Sequence, residues 1–159
     1  MDVLLDLLNS RPLINGEEHD ALAPAAAGRR WAREHGGDGS VAELELLREA
    51  RGALQGVIRG ECSRTVLNPL LDEARQVPTF TSNGLEWELE TPPHARLPVE
   101  VILALGATER EFPGRLRPCA NDDCRLFLLD RSRANRARWC SMATCGNRAK
   151  ARRHYERTR

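Results

Sequence analysis

Apolar positions recur at helical spacing through most of the first 110 residues and switch to alternation once. DVLLDLLN, over 2–9, sets leucines on one side of a short helix. Pro12 and the Asn15-Gly16 pair make 10–19 a turn or loop. A second helix is predicted over 24–35, with Pro24 tolerated in its first turn and Gly36-Gly37 at its end. Ser40-Val41-Ala42-Glu43 is a capping box. The Ser40 hydroxyl is expected to accept from the Glu43 N–H, and the Glu43 carboxylate to reach back to the Ser40 N–H. The helix behind it aligns Leu44, Leu47, Leu54 and Ile58 on one face and stops at Gly60. A further helix is predicted over 63–76, kinked or restarted at Pro69.

The alternation runs over 79–90. Asn83-Gly84 is the preferred centre of a type I′ hairpin turn. That turn puts Phe80 opposite Trp87, with Leu85 and Leu89 on the same face and Thr79, Thr81, Glu86, Glu88 and Glu90 on the other. A hairpin of this kind needs helices over its apolar face. Pro92-Pro93 breaks the run, and Pro98 opens a short apolar helix to about Leu105. Phe112-Pro113-Gly114 is the expected boundary. The predicted fold class is mainly α with a small β-hairpin (α+β). It comprises a helical domain over 1–112, sensing or dimerising, and a module over 113–159.

The second module changes the picture through its cysteines. Cys119 and Cys124, then Cys140 and Cys145, form two close pairs across a fifteen-residue spacer. Four cysteines in this arrangement favour one tetrahedral, structural zinc ion. Two disulfides, a redox pair and a catalytic zinc are the competing uses. Disulfides suit an exported chain, and MDVLLDLLNSR has acids and no leading basic segment, so the cytoplasm is expected. A redox pair is more often C-x-x-C, and catalytic zinc keeps an open position. The knuckle CANDDC is followed by an apolar strand over 126–129, and helix is favoured from about Ala143. Cys140 then precedes a helix and Cys145 sits near its first turn, a zinc-ribbon or treble-clef-like arrangement. With few apolar residues, the module draws most of its folding free energy from the metal. Cys62 stands alone and reads as a buried or incidental thiol.

Charge divides at the same place. The net charge of +1 hides 11 Lys/Arg against 19 Asp/Glu in residues 1–114, and 13 against 4 in residues 115–159. On a helix at about 100° per residue, Arg148, Arg152 and Arg159 fall within about 40° of one another, and Lys150, Arg153 and Arg157 within about 60° elsewhere. Arg131, Arg133, Arg136 and Arg138 add a cluster between the knuckles. This local excess favours nucleic-acid binding over a basic protein-docking surface or incidental charge. The Arg preference itself weighs little, because the whole chain carries 23 Arg and one Lys. His154 and Tyr155 are expected to stack on bases or to pack on the module, and Trp139 to form its core. No Ser/His/Asp arrangement, phosphate-binding Gly loop or H-E-x-x-H is present, so no catalysis is expected. Asp2, Asp6, Glu17, Glu18 and His19 read as a solvated acidic face. No apolar run has the length of a membrane span.

WCSMATCGNRAKARRHYERTR, over 139–159, with RLRPCANDDCRLFLLDRSR upstream, resembles the CGNR zinc-finger family. The start of the chain, with Asp6 and Asn9-Ser10-Arg11, is similar to the stress-induced transcription regulator domain that often accompanies that finger. The resemblance implies a bacterial transcription regulator, cytoplasmic and nucleoid-associated. It implies one structural Zn2+ on Cys119, Cys124, Cys140 and Cys145, with double-stranded DNA as the favoured partner. RNA binding and a protein-interaction adaptor are the alternatives. A homodimer and a small-molecule effector on the N-terminal domain are further expected partners. Gly146, Asn147 and Arg148 are the signature residues. Gly146 is expected to allow close approach near the metal, and Asn147 to fix the knuckle. Arg148 is expected to contact phosphate or lock onto Asp130.

Overall fold

A computed structural model describes residues 3–14 and 16–157; the side chains of Arg153 and Arg157 lie outside it as well. Asp2, Asn15 and Arg159, each part of an expectation above, therefore lie outside the described residues. The chain forms two compact units, one of Met1–Ala21 with Ala104–Arg159 and one of Leu22–Leu103. The first 21 residues thus group with the C-terminal part of the chain rather than with the helices that follow them.

In the Leu22–Leu103 unit, α2 (Ala25–Glu34) and α3 (Val41–Arg59) pack against each other. Pro24 sits at the N-cap of α2. Leu44, Leu47 and Leu54 are buried, as their spacing requires, and Gly60 caps α3 at φ 75°, a left-handed conformation open to glycine. The capping box forms by half. Ser40 Oγ accepts from the Glu43 N–H at 3.0 Å. The Glu43 carboxylate, fully buried, accepts instead from the N–H groups of Asp38 and Gly39 at 3.1 and 2.6 Å. Ser40 N–H goes to Asp38 Oδ1 at 2.6 Å. The Asp38 side chain reaches Ser40 first and leaves Glu43 to satisfy the preceding turn.

Two predicted helices differ. Of the span 63–76, Arg64–Leu71 form a 3-10 helix and not an α-helix, and Arg75 and Gln76 belong to a strand. Pro69 lies inside the 3-10 helix, withholds an N–H and disfavours α conformation at Asn68. The helix expected from Pro98 starts earlier and runs longer, as α4 (Pro93–Glu111). Pro93 takes the first helical position. Pro98 withholds an N–H inside it, and burial of Leu97, Val99, Val101, Ile102 and Leu105 sustains the helix around it.

The hairpin pairs β3 (Arg75–Thr81) with β4 (Gly84–Glu90) two residues out of the expected register. Phe80 faces Leu85, and Trp87 faces Pro78. The turn moves to Ser82-Asn83 because Thr81 Oγ1 accepts from the Asn83 N–H at 3.1 Å and lies 2.8 Å from Glu86 Oε1. A shift of two preserves the faces, so the apolar side chains still lie together. They are not covered, however: Phe80 is 84% exposed, Trp87 61% and Leu85 51%. The buried apolar residues of the unit, Leu44, Leu47, Leu54, Leu67, Leu97 and Val99 among them, do not include this face. Cys62 is exposed too.

In the other unit, α1 (Val3–Leu8) buries Leu4, Leu7 and Leu8. The expected loop carries a minimal antiparallel pair, β1 (Leu13–Ile14) with β2 (Glu17–Glu18). A second hairpin, β5 (Leu116–Pro118) with β6 (Phe127–Leu129), follows, and β6 packs on α1. A π-turn over Met142–Gly146 leads into α5 (Asn147–Arg157).

In dilute solution, Phe80→Ser should change the unfolding free energy by no more than about 0.5 kcal/mol. Leu47→Ala should cost about 2–5 kcal/mol. Urea melts of both variants check this; a large loss from Phe80→Ser would mean that its ring is covered.

Candidate metal centre

β5 and β6 are joined by the loop holding Cys119 and Cys124, and Cys119 N–H donates to Leu126 O at 2.8 Å. This places the first cysteine pair at the tip of a hairpin. Cys140 enters from the connection after β6, and Cys145 lies on the π-turn that leads into α5. The knuckle, the hairpin and the helix together give the treble-clef-like arrangement expected.

All four Sγ atoms lie within 4.8 Å of one another. Cys124 Sγ and Cys140 Sγ are 3.7 Å apart, and Cys140 Sγ and Cys145 Sγ 3.6 Å. A tetrahedron with Zn–S of about 2.3 Å has edges of about 3.8 Å, so these spacings fit a single zinc ion. They are far beyond the S–S bond of about 2.05 Å, and the cysteines are unpaired. With four sulfurs and no open position, the set suits structural zinc. Donors surround it: Asn121 Nδ2 donates to Cys145 Sγ at 3.5 Å and Cys140 N–H to Cys119 Sγ at 3.4 Å. Such second contacts orient the thiolates.

Burial pushes the Cys124 thiol up to about 11, and it pushes Cys140 up as well, where the neighbouring sulfurs add to it. At Cys145 burial is outweighed by the hydrogen bond from Asn121 and by its cysteine neighbours, and the thiol is lowered. Zinc loading must therefore displace protons from Cys124 and Cys140, and its affinity falls as pH falls.

Two anchors tie the hairpin down. Asn9, just after α1, donates through Nδ2 to Phe127 O at 3.1 Å and accepts through Oδ1 from Phe127 N–H at 2.7 Å. One side chain thus substitutes for a strand neighbour of β6. The other anchor is Asp130, which is buried. It accepts from the N–H groups of Ser132 and Ala137 at 2.9 and 2.8 Å and pairs with Arg117 at 2.7 Å. The hydrogen bonds from Ser132, with those from Ala137 and the charge of Arg117, hold the Asp130 carboxyl at about 2, below its usual 3.8. The stability it contributes is full above about pH 4 and is lost as pH falls through about 2. Arg117, not Arg148, is therefore the partner of Asp130. Asn9 entered the sequence reading only through the family pattern, without a role, and nothing singled out Arg117, because both act across long sequence separations.

Gly146 does make a close approach, but against side chains: a Cβ there would lie 2.7 Å from Met142 Sδ and 3.4 Å from Trp139 Cδ1. Asn147 Nδ2 donates to Ala143 O at 3.1 Å, within the turn into α5. Arg148 and Lys150 are exposed on α5. Arg152 pairs with Asp123 of the first knuckle at 3.1 Å, both groups well exposed. Arg133 and Arg136 are exposed on the connection. Arg131 lies over the Phe112 ring, 5.9 Å from its centroid, and Arg138 over Trp139 at 5.4 Å. Of the acidic face, Glu18 pairs with Arg11 and Arg125.

The family model described as CGNR zinc finger matches residues 115–158, and the model described as putative stress-induced transcription regulator matches residues 1–127. No curated protein matches this chain.

Cys140→Ser should abolish the one zinc per chain and remove amide-exchange protection from residues 115–146, while α3 keeps its protection. Metal analysis with hydrogen exchange checks this. Zinc retained at full stoichiometry, or unchanged protection of β5 and β6, would contradict the assignment.

Proposed function

This chain belongs to the family of putative stress-induced transcription regulators and carries a C-terminal CGNR zinc finger, and we propose that it regulates transcription by holding double-stranded DNA on that finger. The observation that carries the reading is the exposure of Arg133, Arg136, Arg148 and Lys150 on a unit whose shape the four sulfurs set. An 11-residue helix such as α5 is about 16 Å long. That length suits a major groove, with guanidinium groups directed to phosphate. No catalytic step belongs to this reading, and its setting is the cytoplasm, at the nucleoid. Among the described residues, no helix is long and apolar enough to cross a membrane.

A second copy is part of the proposal. The uncovered face of Phe80, Leu85 and Trp87 supports it, because a lone two-stranded sheet is marginal in water and a second copy offers the same apolar face in return. Sedimentation equilibrium showing a monomer at every concentration would remove the dimer. A small-molecule effector on the N-terminal domain is also part of the proposal, and no residue is assigned to it.

Binding to duplex DNA, single-stranded RNA and a non-nucleic polyanion, each followed across salt concentrations, tests the function. One duplex sequence should be preferred. Neutralising Arg148 and Lys150 together should weaken binding and flatten the salt slope by up to about two. Equal affinity for all three polymers would point to a generic basic surface and remove the regulator reading.

A further inference from the structure

Beside the metal centre lies a cavity of about 160 Å³, lined by Ala120, Asn121, Trp139, Ala149 and Arg152. Among the described residues no cysteine lines it, so it is distinct from the space between the sulfurs. Its size and chemistry are specific. An apolar cavity of about 150 Å³ accommodates one benzene, so the volume here is enough for a single planar six-membered ring. The indole of Trp139 and the methyl groups of Ala120 and Ala149 supply apolar walls. Arg138 does not line the cavity; its guanidinium lies over the Trp139 ring at 5.4 Å and braces it. Trp139 also rests against the signature Gly146, where a Cβ would stand 3.4 Å from Cδ1.

The polar groups are few and differ in kind. Asn121 is buried, and its Nδ2 donates to Cys145 Sγ. A thiolate only accepts, so the amide must present its nitrogen to the sulfur. Its amide oxygen is then the group of this lining residue that can accept from a ligand. Arg152 supplies a cation at the mouth, paired at 3.1 Å with Asp123, where the two side chains are 56% and 74% exposed. An exposed pair of this kind contributes little. A carboxylate on that guanidinium occupies the place a phosphate oxygen would take, with a fork suited to either.

An aromatic wall, room for one ring, one acceptor and a phosphate-binding cation describe a nucleotide rather than a duplex edge. From these features, and resting on the nucleic-acid reading above, we infer that this cavity receives one unpaired pyrimidine base. The ring stacks on Trp139, an N–H of the base donates to Asn121, and the adjoining phosphate displaces Asp123 from Arg152. The exposed arginines hold the flanking backbone. A fully paired duplex cannot fill the cavity, because its bases are stacked on each other. The finger thereby gains a preference for a site where one pyrimidine is extruded or unpaired.

The test uses the zinc-loaded full chain with Trp31 and Trp87 changed to Phe, so that Trp139 alone emits. The probes are a fully paired duplex, the same duplex with one bulged cytosine or thymine, and that duplex with an abasic bulge. The pyrimidine bulge should bind about tenfold tighter than the paired duplex, within the range of one base–aromatic stack, and should quench Trp139. The abasic bulge should do neither. Ala149→Leu, which fills the cavity without changing charge, should erase the preference and the quenching while leaving the salt slope intact. Asp123→Asn should tighten binding of every probe.

Equal binding of the three probes with unchanged Trp139 emission overturns the cavity assignment and leaves the duplex reading standing. Failure of all probes to bind overturns both. Equal tightening by the abasic bulge would show that flexibility of the duplex, and not the base, is recognised, and would also overturn the assignment.

Discussion

A zinc ion held by four sulfurs does for the C-terminal part of this chain what a hydrophobic core does for the rest. Among the described residues from 115 onward, the buried apolar side chains are Phe127 and Leu128, with the two ligands Cys119 and Cys145. Four sulfur atoms within 4.8 Å of one another fix the hairpin tip, the connection after β6 and the start of α5 at one point. A structural zinc site of this kind contributes about 10–16 kcal/mol of binding free energy that appears as folding. That is comparable with the whole stability of an ordinary domain, so the basic helix owes its placement to the metal.

The metal is not the only device. Asn9 grips the backbone of Phe127 from the end of α1, and Leu4, Leu7 and Leu8 lend that unit apolar surface. This gives the Asn9-Ser10-Arg11 stretch a structural use. Asn9 holds β6, the Ser10 hydroxyl donates to Leu7 O at 2.8 Å at the end of α1, and Arg11 pairs with Glu18. The connection of four arginines between the knuckles is held by Asp130, whose two backbone N–H donors and Arg117 keep it charged. Exposed cations are thus carried on a segment whose backbone is tied down, which lowers the ordering cost of binding a polyanion.

Much of this was legible in the sequence, and the reasons are local. The four-cysteine spacing, the helix behind Ser40 and the two faces of the 79–90 hairpin depend on residues a few positions apart. What was not legible depends on competition or distance. Glu43 lost the Ser40 N–H to Asp38, whose side chain is closer. Thr81 moved the turn by latching onto Asn83. Pro69 shortened one helix to 3-10 form, while burial of its neighbours carried another through Pro98. Arg117 took Asp130 from Arg148 because strand pairing of β5 with β6 brings it there. The cover expected over Phe80 and Trp87 is missing because alternation reveals which side chains share a face and not what meets that face.

The zinc edge X-ray absorption spectrum of the purified full chain tests the central claim most directly. One zinc per chain with four sulfur scatterers at about 2.3 Å is the predicted result. A first shell containing nitrogen or oxygen, or a chain without zinc whose cysteines are oxidised to each other, would contradict it.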